Sequence, residues 1–231
     1  MQHAIEHFRT SVDTLVLVNI FAIPSISIGS PVTVKDILFQ LSDEALEREE
    51  NIARDFIGNS PIRIEKYCEG GDVVKKLPSV LEKYTKPLLV IGETGASEIE
   101  GVYHGSVASR LVAAIKNTPI FLTPCLSDQR EIKNLLYLSD VHEEENLQNL
   151  NYLVAYAIKF GAKIHVAHIS ERNILLPSSV SAADRDLMRL YSDTFPEVKF
   201  SYQNLNGVAS IDEQLHKIIR QEEIDMLYMV L

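Results

Sequence analysis

Short apolar runs alternate with longer stretches of helical period along the whole chain, and this alternation limits the fold more than any other feature. TLVLVNIF (Thr14–Phe21) is a continuous apolar run bounded by polar and proline signals, which predicts a buried strand. Beyond a loop holding Pro24, Gly29 and Pro31, the residues Val34, Ile37, Leu38, Leu41, Ala45, Ile52, Ala53 and Phe56 keep helical spacing. They predict one long amphipathic helix, closed by Gly58-Asn59 and Pro61. Ile62–Cys68 alternates like a strand, and Gly70-Gly71 with Asp72 supplies a turn and an N-cap. Val73–Tyr84 reads as a helix that Pro78 kinks or delays. PLLVI (Pro87–Ile91) predicts another buried strand ending at Gly92, followed by a glycine-containing loop, a helix over Ser106–Asn117 and a strand at Ile120–Thr123.

The second half repeats the theme. Strands are predicted at Asn134–Ser139, Lys163–Ile169, Lys199–Asn204 and Asp225–Val230. Between them lie a helix faced by Leu147, Leu150, Val154, Ala157 and Ile158, one over Ala182–Phe195, and one faced by Ile211, Leu215, Ile218 and Ile219. Strands and helices in this order predict parallel sheets joined by right-handed crossovers and covered on both faces. The fold class is α/β, with two tandem doubly wound parallel-sheet domains of Rossmann-like type, at residues 1–126 and 131–231.

The halves also match in residues. AIEHFRTSVDTLVLVNIF stands beside AIKFGAKIHVAHIS as helix end, turn and strand, and KYCEGGDVVKKLPSVLEKYTKPLLVIG beside SYQNLNGVASIDEQLHKIIRQEEIDMLYMVL. This reads as a duplicated α/β unit with a repeat of very roughly 140 residues, too long for a solenoid. Superposing the copies exposes two gaps. The strand and early helix at Asn134–Tyr156 have no counterpart ahead of Met1, and the loop, helix and strand at Gly92–Thr123 have none after Leu231. An edge strand is lost cheaply, whereas a missing central strand leaves unpaired backbone and an open core. The expectation is that the 231 residues are part of a longer protein; the alternative is a partner chain that supplies a strand.

The stretch with most chemistry in it is Gly92-Glu-Thr-Gly95, then nine residues, then Gly105-Ser106, placed between a strand and a helix. Glycines let backbone approach a ligand closely, and free N–H groups with the helix dipole favour an anion at the start of the Ser106 helix. Ser106 serves either as cap or as phosphate donor. The pattern G-x2-G-x9-G-S in this setting resembles the phosphate loop of the ATP-binding universal stress proteins. VASRLVAAIKNTPIFLTP after it is similar to the last helix and strand of that family, and through the repeat the resemblance covers nearly the whole chain.

That resemblance implies a five-stranded parallel sheet per domain, with ATP or a related adenine nucleotide, with or without Mg²⁺, at the carboxyl ends of the strands. It implies that Gly92 lies by the ribose, that Gly95, Gly105 and Ser106, with Val107 beside them, hold the phosphates, and that Ile20 lines the adenine. It also matches Asp140 to the aspartate that contacts the base. Asp140 is equally a helix N-cap ahead of Glu143–Glu145, and the cap is the favoured reading. The resemblance further implies a stress-adaptation or signalling role in the cytoplasm, at most slow ATP hydrolysis, pairing of the two domains through their last strands, and association into homodimers. Against a nucleotide stand Glu93, Glu98 and Glu100, with no lysine or arginine between Gly92 and Arg110. Carboxylates repel a triphosphate unless a divalent cation intervenes. The rival reading is therefore the same fold used as a scaffold for protein partners. A third, a nucleotidyl-transfer enzyme, needs a catalytic acid or second phosphate motif that the sequence lacks.

Other signals are weaker. A net charge of −10 disfavours nucleic acid and anionic membranes. No apolar run reaches the length of a membrane span, and MQHAIEHFRT lacks the apolar core of a secretory signal. Cys68 and Cys125 are far apart and read as buried small hydrophobes in a reducing compartment, so cytoplasm is the default. His3 and His7 stand four apart without a third ligand, which favours packing or solvation over a metal. His165 and His168 point to opposite faces of one strand. His104 beside Gly105 reads as a loop histidine, and Glu47–Glu50 as a solvated helix face. No nucleophile, general base or triad emerges, which leans towards binding and away from turnover.

Overall fold

The computed structural model describes residues 2–24, 31–92, 106–123, 131–139, 143–169, 182–205 and 210–229. The chain divides into two compact units, Met1–Gln129 and Arg130–Leu231. Unit 1 runs α1 (Gln2–Phe8), β1 (Thr14–Phe21), α2 (Pro31–Ile57), β2 (Arg63–Gly70), α3 (Val73–Leu81), β3 (Leu89–Gly92), α4 (Ser106–Ala114) and β4 (Ile120–Thr123). Unit 2 runs β5 (Asn134–Ser139), α5 (Glu143–Phe160), β6 (Lys163–Ile169), α6 (Ala182–Thr194), β7 (Phe200–Leu205), α7 (Ile211–Gln221) and β8 (Met226–Met229). Every strand pairing is parallel, as the alternation of strands and helices requires.

Unit 2 forms one sheet in the order β7-β6-β5-β8. The central strand, NLLYLS, alternates its side chains between two cores. Leu135 and Tyr137 pack with Leu150, Leu153, Val154 and Ala157 of α5 and with Tyr191 of α6. Leu136 faces the other way, with Ala167, Leu205 and Ile218 of α7. Leu135, Leu136 and Tyr137 are all fully buried, as a strand paired on both edges and covered on both faces must be.

The amino edge of this sheet is pinned by a part-buried polar network around His165. His165 donates from Nε2 to Oδ1 of Asn134 at 3.2 Å, and its Nδ1 lies 3.0 Å from the Ser201 hydroxyl and 3.5 Å from Glu222. The Asn134 amide nitrogen donates to the Glu223 carbonyl, which fixes the amide orientation that leaves Oδ1 free for His165. The His165 imidazole is disfavoured in its charged form. Burial holds its pKa below the ordinary 6.5, nearby Lys163 adds to the effect, and Glu222 opposes it.

Among the described residues, unit 1 has four strands in two parallel pairs, β1-β2 and β3-β4. Ile5 of α1 with Ala53 and Ile57 of α2 covers Leu15 and Ile64 on one face. On the other face Leu77 and Val80 of α3 and Leu111 of α4 cover Ile20, Tyr67, Leu89 and Ile91. The expectation that β1 and β3 are buried strands is corrected here. No residue of either is fully buried, and Val18 and Val90 are each 37% exposed. Apolar composition fixes that a run is a strand; its burial depends on neighbours, and each of these strands has a described partner on one edge only.

Boundaries differ elsewhere by a few residues. Helix α3 begins at the Asp72 cap and runs through Pro78 to Leu81. The helix expected over Ser106–Asn117 ends at Ala114. Gly58 closes α2 with a φ of 59°, as its place in the sequence predicts. Glu50 is more than a solvated face residue: it takes Arg54 at 2.5 Å and Lys66 of β2 at 3.3 Å, which holds its carboxyl below the usual range. Cys68 is half-buried and not fully buried, with its thiol pKa pushed up by burial and then by Asp43. His7 is buried and packs near the Phe8 and Phe121 rings.

Two outcomes follow from unit 2. Leu136→Ala is expected to cost about 2–5 kcal/mol, read as faster hydrogen exchange of the β5 and β6 amides. His165 binds a proton less readily folded than unfolded, so its contribution is complete above about pH 6.5 and declines as pH falls below it. Urea titrations across that range are expected to show His165→Gln losing this part of the pH dependence.

Candidate functional site

In open α/β sheets, ligands collect outside the carboxyl ends of the strands, where the strand order reverses. In unit 2 the reversal falls at β5, between β6 and β8. In unit 1 the matching edge is formed by the ends of β1, β2 and β3. Ile20 and Phe21 end β1, Gly70 ends β2 and Gly92 ends β3. Gly70 sits close to two side chains: a Cβ there would lie 2.9 Å from Ile23 Cδ1 and 3.0 Å from Phe21 Cε2, so these would have to shift to admit it. Gly71, at a φ of 152°, completes the turn into α3.

Asp72 then organises the helical side of this edge. Its Oδ1 accepts from the backbone amides of Val74 at 2.9 Å and Lys75 at 3.2 Å, which satisfies the first turn of α3. Its Oδ2 accepts from Arg110 of α4 at 2.8 Å. The Arg110 guanidinium is the main reason that the Asp72 carboxyl stays below the usual aspartate range, with the backbone amides adding to it. Beside it, Glu69 takes Lys76 and the Tyr67 hydroxyl, and Lys76 is the first cause of its lowered pKa. Thus Arg110, the first cation after Gly92, and Lys76 each already face a carboxylate.

The residues singled out from sequence fall as follows. Ile20 is half-buried in the cluster under α3, and Gly92 is the last residue of β3, opposite Thr123 of β4. Ser106 opens α4, and Val107 after it is 43% exposed. Gly95, Gly105, His104 and Asp140 lie outside the described residues. Sequence reasoning missed Arg110 as the partner of Asp72. The only signal for it was an arginine four residues into a helix that follows a glycine loop, and the pairing spans 38 residues. It also missed the His165–Ser201–Asn134–Glu222 network. That network is centred on buried His165, with its partners half-buried, towards the amino ends of β5, β6 and β7, on the edge opposite to the one where such folds work. At the carboxyl edge of unit 2, His168 is buried with Nδ1 3.2 Å from the Ser139 carbonyl.

A shallow groove along α7, lined by Asp212, His216 and Arg220 among others, belongs to that single helix, and no second element among the described residues converges on it. Among the described residues, no group of three or more His, Cys, Asp or Glu is placed to hold a metal, and no helix is long and apolar enough to cross a membrane.

No protein-family model matches the sequence, and neither does any curated protein. Solved structures do match. A universal stress protein from Archaeoglobus fulgidus DSM 4304 superposes with a TM-score of 0.70 at 16% identity, over 99% of this chain and 77% of that one. A provisionally named universal stress protein from Pseudomonas aeruginosa UCBPP-PA14 gives 0.52 at 11% identity, over 95% and 82%. A functionally unknown protein from Pseudomonas aeruginosa PAO1 gives 0.55 at 11% identity, over 95% and 82%. Parallel strands, helices on both faces of the strands and these neighbours together show that the chain has the α/β fold of the universal stress proteins.

Proposed function

We propose that the chain is a cytoplasmic universal stress protein with two tandem domains, that it binds ATP or a related adenine nucleotide at Gly92–Ser106 of unit 1, and that it acts in stress adaptation or signalling. One observation carries the reading: the glycine motif begins on the last residue of β3 and closes on the first residue of α4. A strand end and a helix start thereby flank the segment in which backbone amides would meet phosphate. In this reading Ile20, at the end of β1, lines the base, and Gly92, at the end of β3, lies by the ribose. Mg²⁺ would offset Glu93, Glu98 and Glu100. Binding, with at most slow hydrolysis, is the activity proposed. Homodimers form in this reading.

A second reading is favoured by the pairing of Arg110 with Asp72 and of Lys76 with Glu69. Cations committed to carboxylates are poorly available to phosphate, and an acidic edge suits a scaffold for protein partners.

Isothermal titration of ATP, with and without Mg²⁺, into the full chain and a Gly105→Val variant separates the two. Saturable binding lost in the variant is expected; no heat and no thermal shift at millimolar ATP would leave the scaffold. Asp72→Asn gives a finer test, since asparagine still caps α3 but releases the Arg110 charge. It is expected to tighten ATP binding by a factor of about two to five with the melting temperature nearly unchanged.

A further inference from the structure

Among the described residues of unit 2, His165 is a buried titratable group that the nucleotide reading leaves unused. It is 1% exposed, and both ring nitrogens face neighbours. Nε2 lies 3.2 Å from Oδ1 of Asn134, and Nδ1 lies 3.0 Å from the Ser201 hydroxyl and 3.5 Å from the Glu222 carboxylate. Two of these contacts lead to one place, the turn between α7 and β8. Glu222 is the C-cap of α7, and the Asn134 side chain donates to the carbonyl of Glu223. That turn is therefore tethered twice to a single imidazole.

The turn is of a kind that needs holding. The Glu222 amide donates to the Ile218 carbonyl at 2.9 Å and the Ile224 amide to the Ile219 carbonyl at 3.0 Å. This is a closure of Schellman type, whose left-handed residue is most often glycine. Here that residue is Glu223, at a φ of 49°. A residue with a side chain keeps this conformation where its surroundings fix it. Asn134 supplies one such contact through the Glu223 carbonyl. The Glu222 carboxylate supplies another, since it lies beside His165 and also accepts from Gln203 of β7 at 3.1 Å.

We propose that the α7–β8 turn is an acid-released latch: a second proton on His165, taken from solvent, lets Glu222 and Glu223 leave the amino edge of the sheet. Nε2 faces a carbonyl oxygen, which only accepts, whereas Nδ1 faces a hydroxyl that gives or takes. The second proton therefore belongs to Nδ1. Burial disfavours the resulting charge, Lys163 of the same strand adds to this, and Glu222 opposes it. From β5 and β7 the ring is faced by Asn134 and Ser201, which do not titrate near neutral pH. Asp225, ahead of β8, is engaged by the backbone amides of Lys133 and Asn134. Once the turn is released, the ring is hydrated and binds the proton more readily than in the seated turn, so acid favours release. The latch is seated above about pH 6.5 and loosens as pH falls below it. Glu222 limits the response, because its carboxylate offsets part of the buried charge. None of this rests on nucleotide binding.

The test is amide hydrogen exchange of the full chain at about pH 7.5 and about pH 5.5, corrected for the intrinsic pH dependence of exchange. The Glu222 and Ile224 amides, which bond within the turn, are expected to exchange faster at the lower pH. The limit is about tenfold, since one proton acts over about one pH unit below 6.5. The acceleration is expected to be the same in about 0.5 M urea, as a local opening exposes little surface. His165→Gln is expected to abolish it, and Glu222→Gln to bring it closer to the limit. Glu222→Gln carries the test if His165→Gln does not fold, and an acceleration that it leaves unchanged or diminishes overturns the proposal. So does an acceleration that survives His165→Gln, or none in the parent chain. Turn amides that exchange only together with those of β5, with the same urea dependence, overturn it as well, because the opening is then global.

Discussion

The structure turns on the pairing of backbone amides and carbonyls along parallel strands. A strand covered on both faces has no water to satisfy its N–H and C=O groups, so both of its edges must meet other strands. In unit 2, β5 meets that condition, and two cores grow outward from it. Leu135 and Tyr137 anchor the layer of α5 and α6, while Leu136 anchors that of α7. The same strand fixes the amino edge through Asn134, which binds His165 and the end of α7. Lys133 and Asn134 amides in turn both donate to Asp225 ahead of β8. Unit 1 has equally apolar strands and similar helices, but its described pairings stop at two strands each, and its burial stops with them.

This contrast explains what was legible in the sequence. The number, order and direction of the strands followed from runs such as NLLYLS and TLVLVNIF, because an apolar run between helical stretches has few other uses. Burial did not follow, because it belongs to the neighbours of a strand and not to the strand. Val18 and Val166 are the same residue type in matching strands, one 37% exposed and the other 0%.

Electrostatics at the strand ends were harder to foresee. The cap at Asp72 is local and was evident from Gly70-Gly71-Asp72, whereas its bond to Arg110 joins two helices through tertiary packing. The two roles meet in one carboxylate: Oδ1 serves the helix and Oδ2 the guanidinium. The same holds for Glu50, which the sequence places on an acidic helix face and the fold places between Arg54 and Lys66. Charges that look solvated along a helix are recruited wherever a neighbouring element brings an opposite sign within reach.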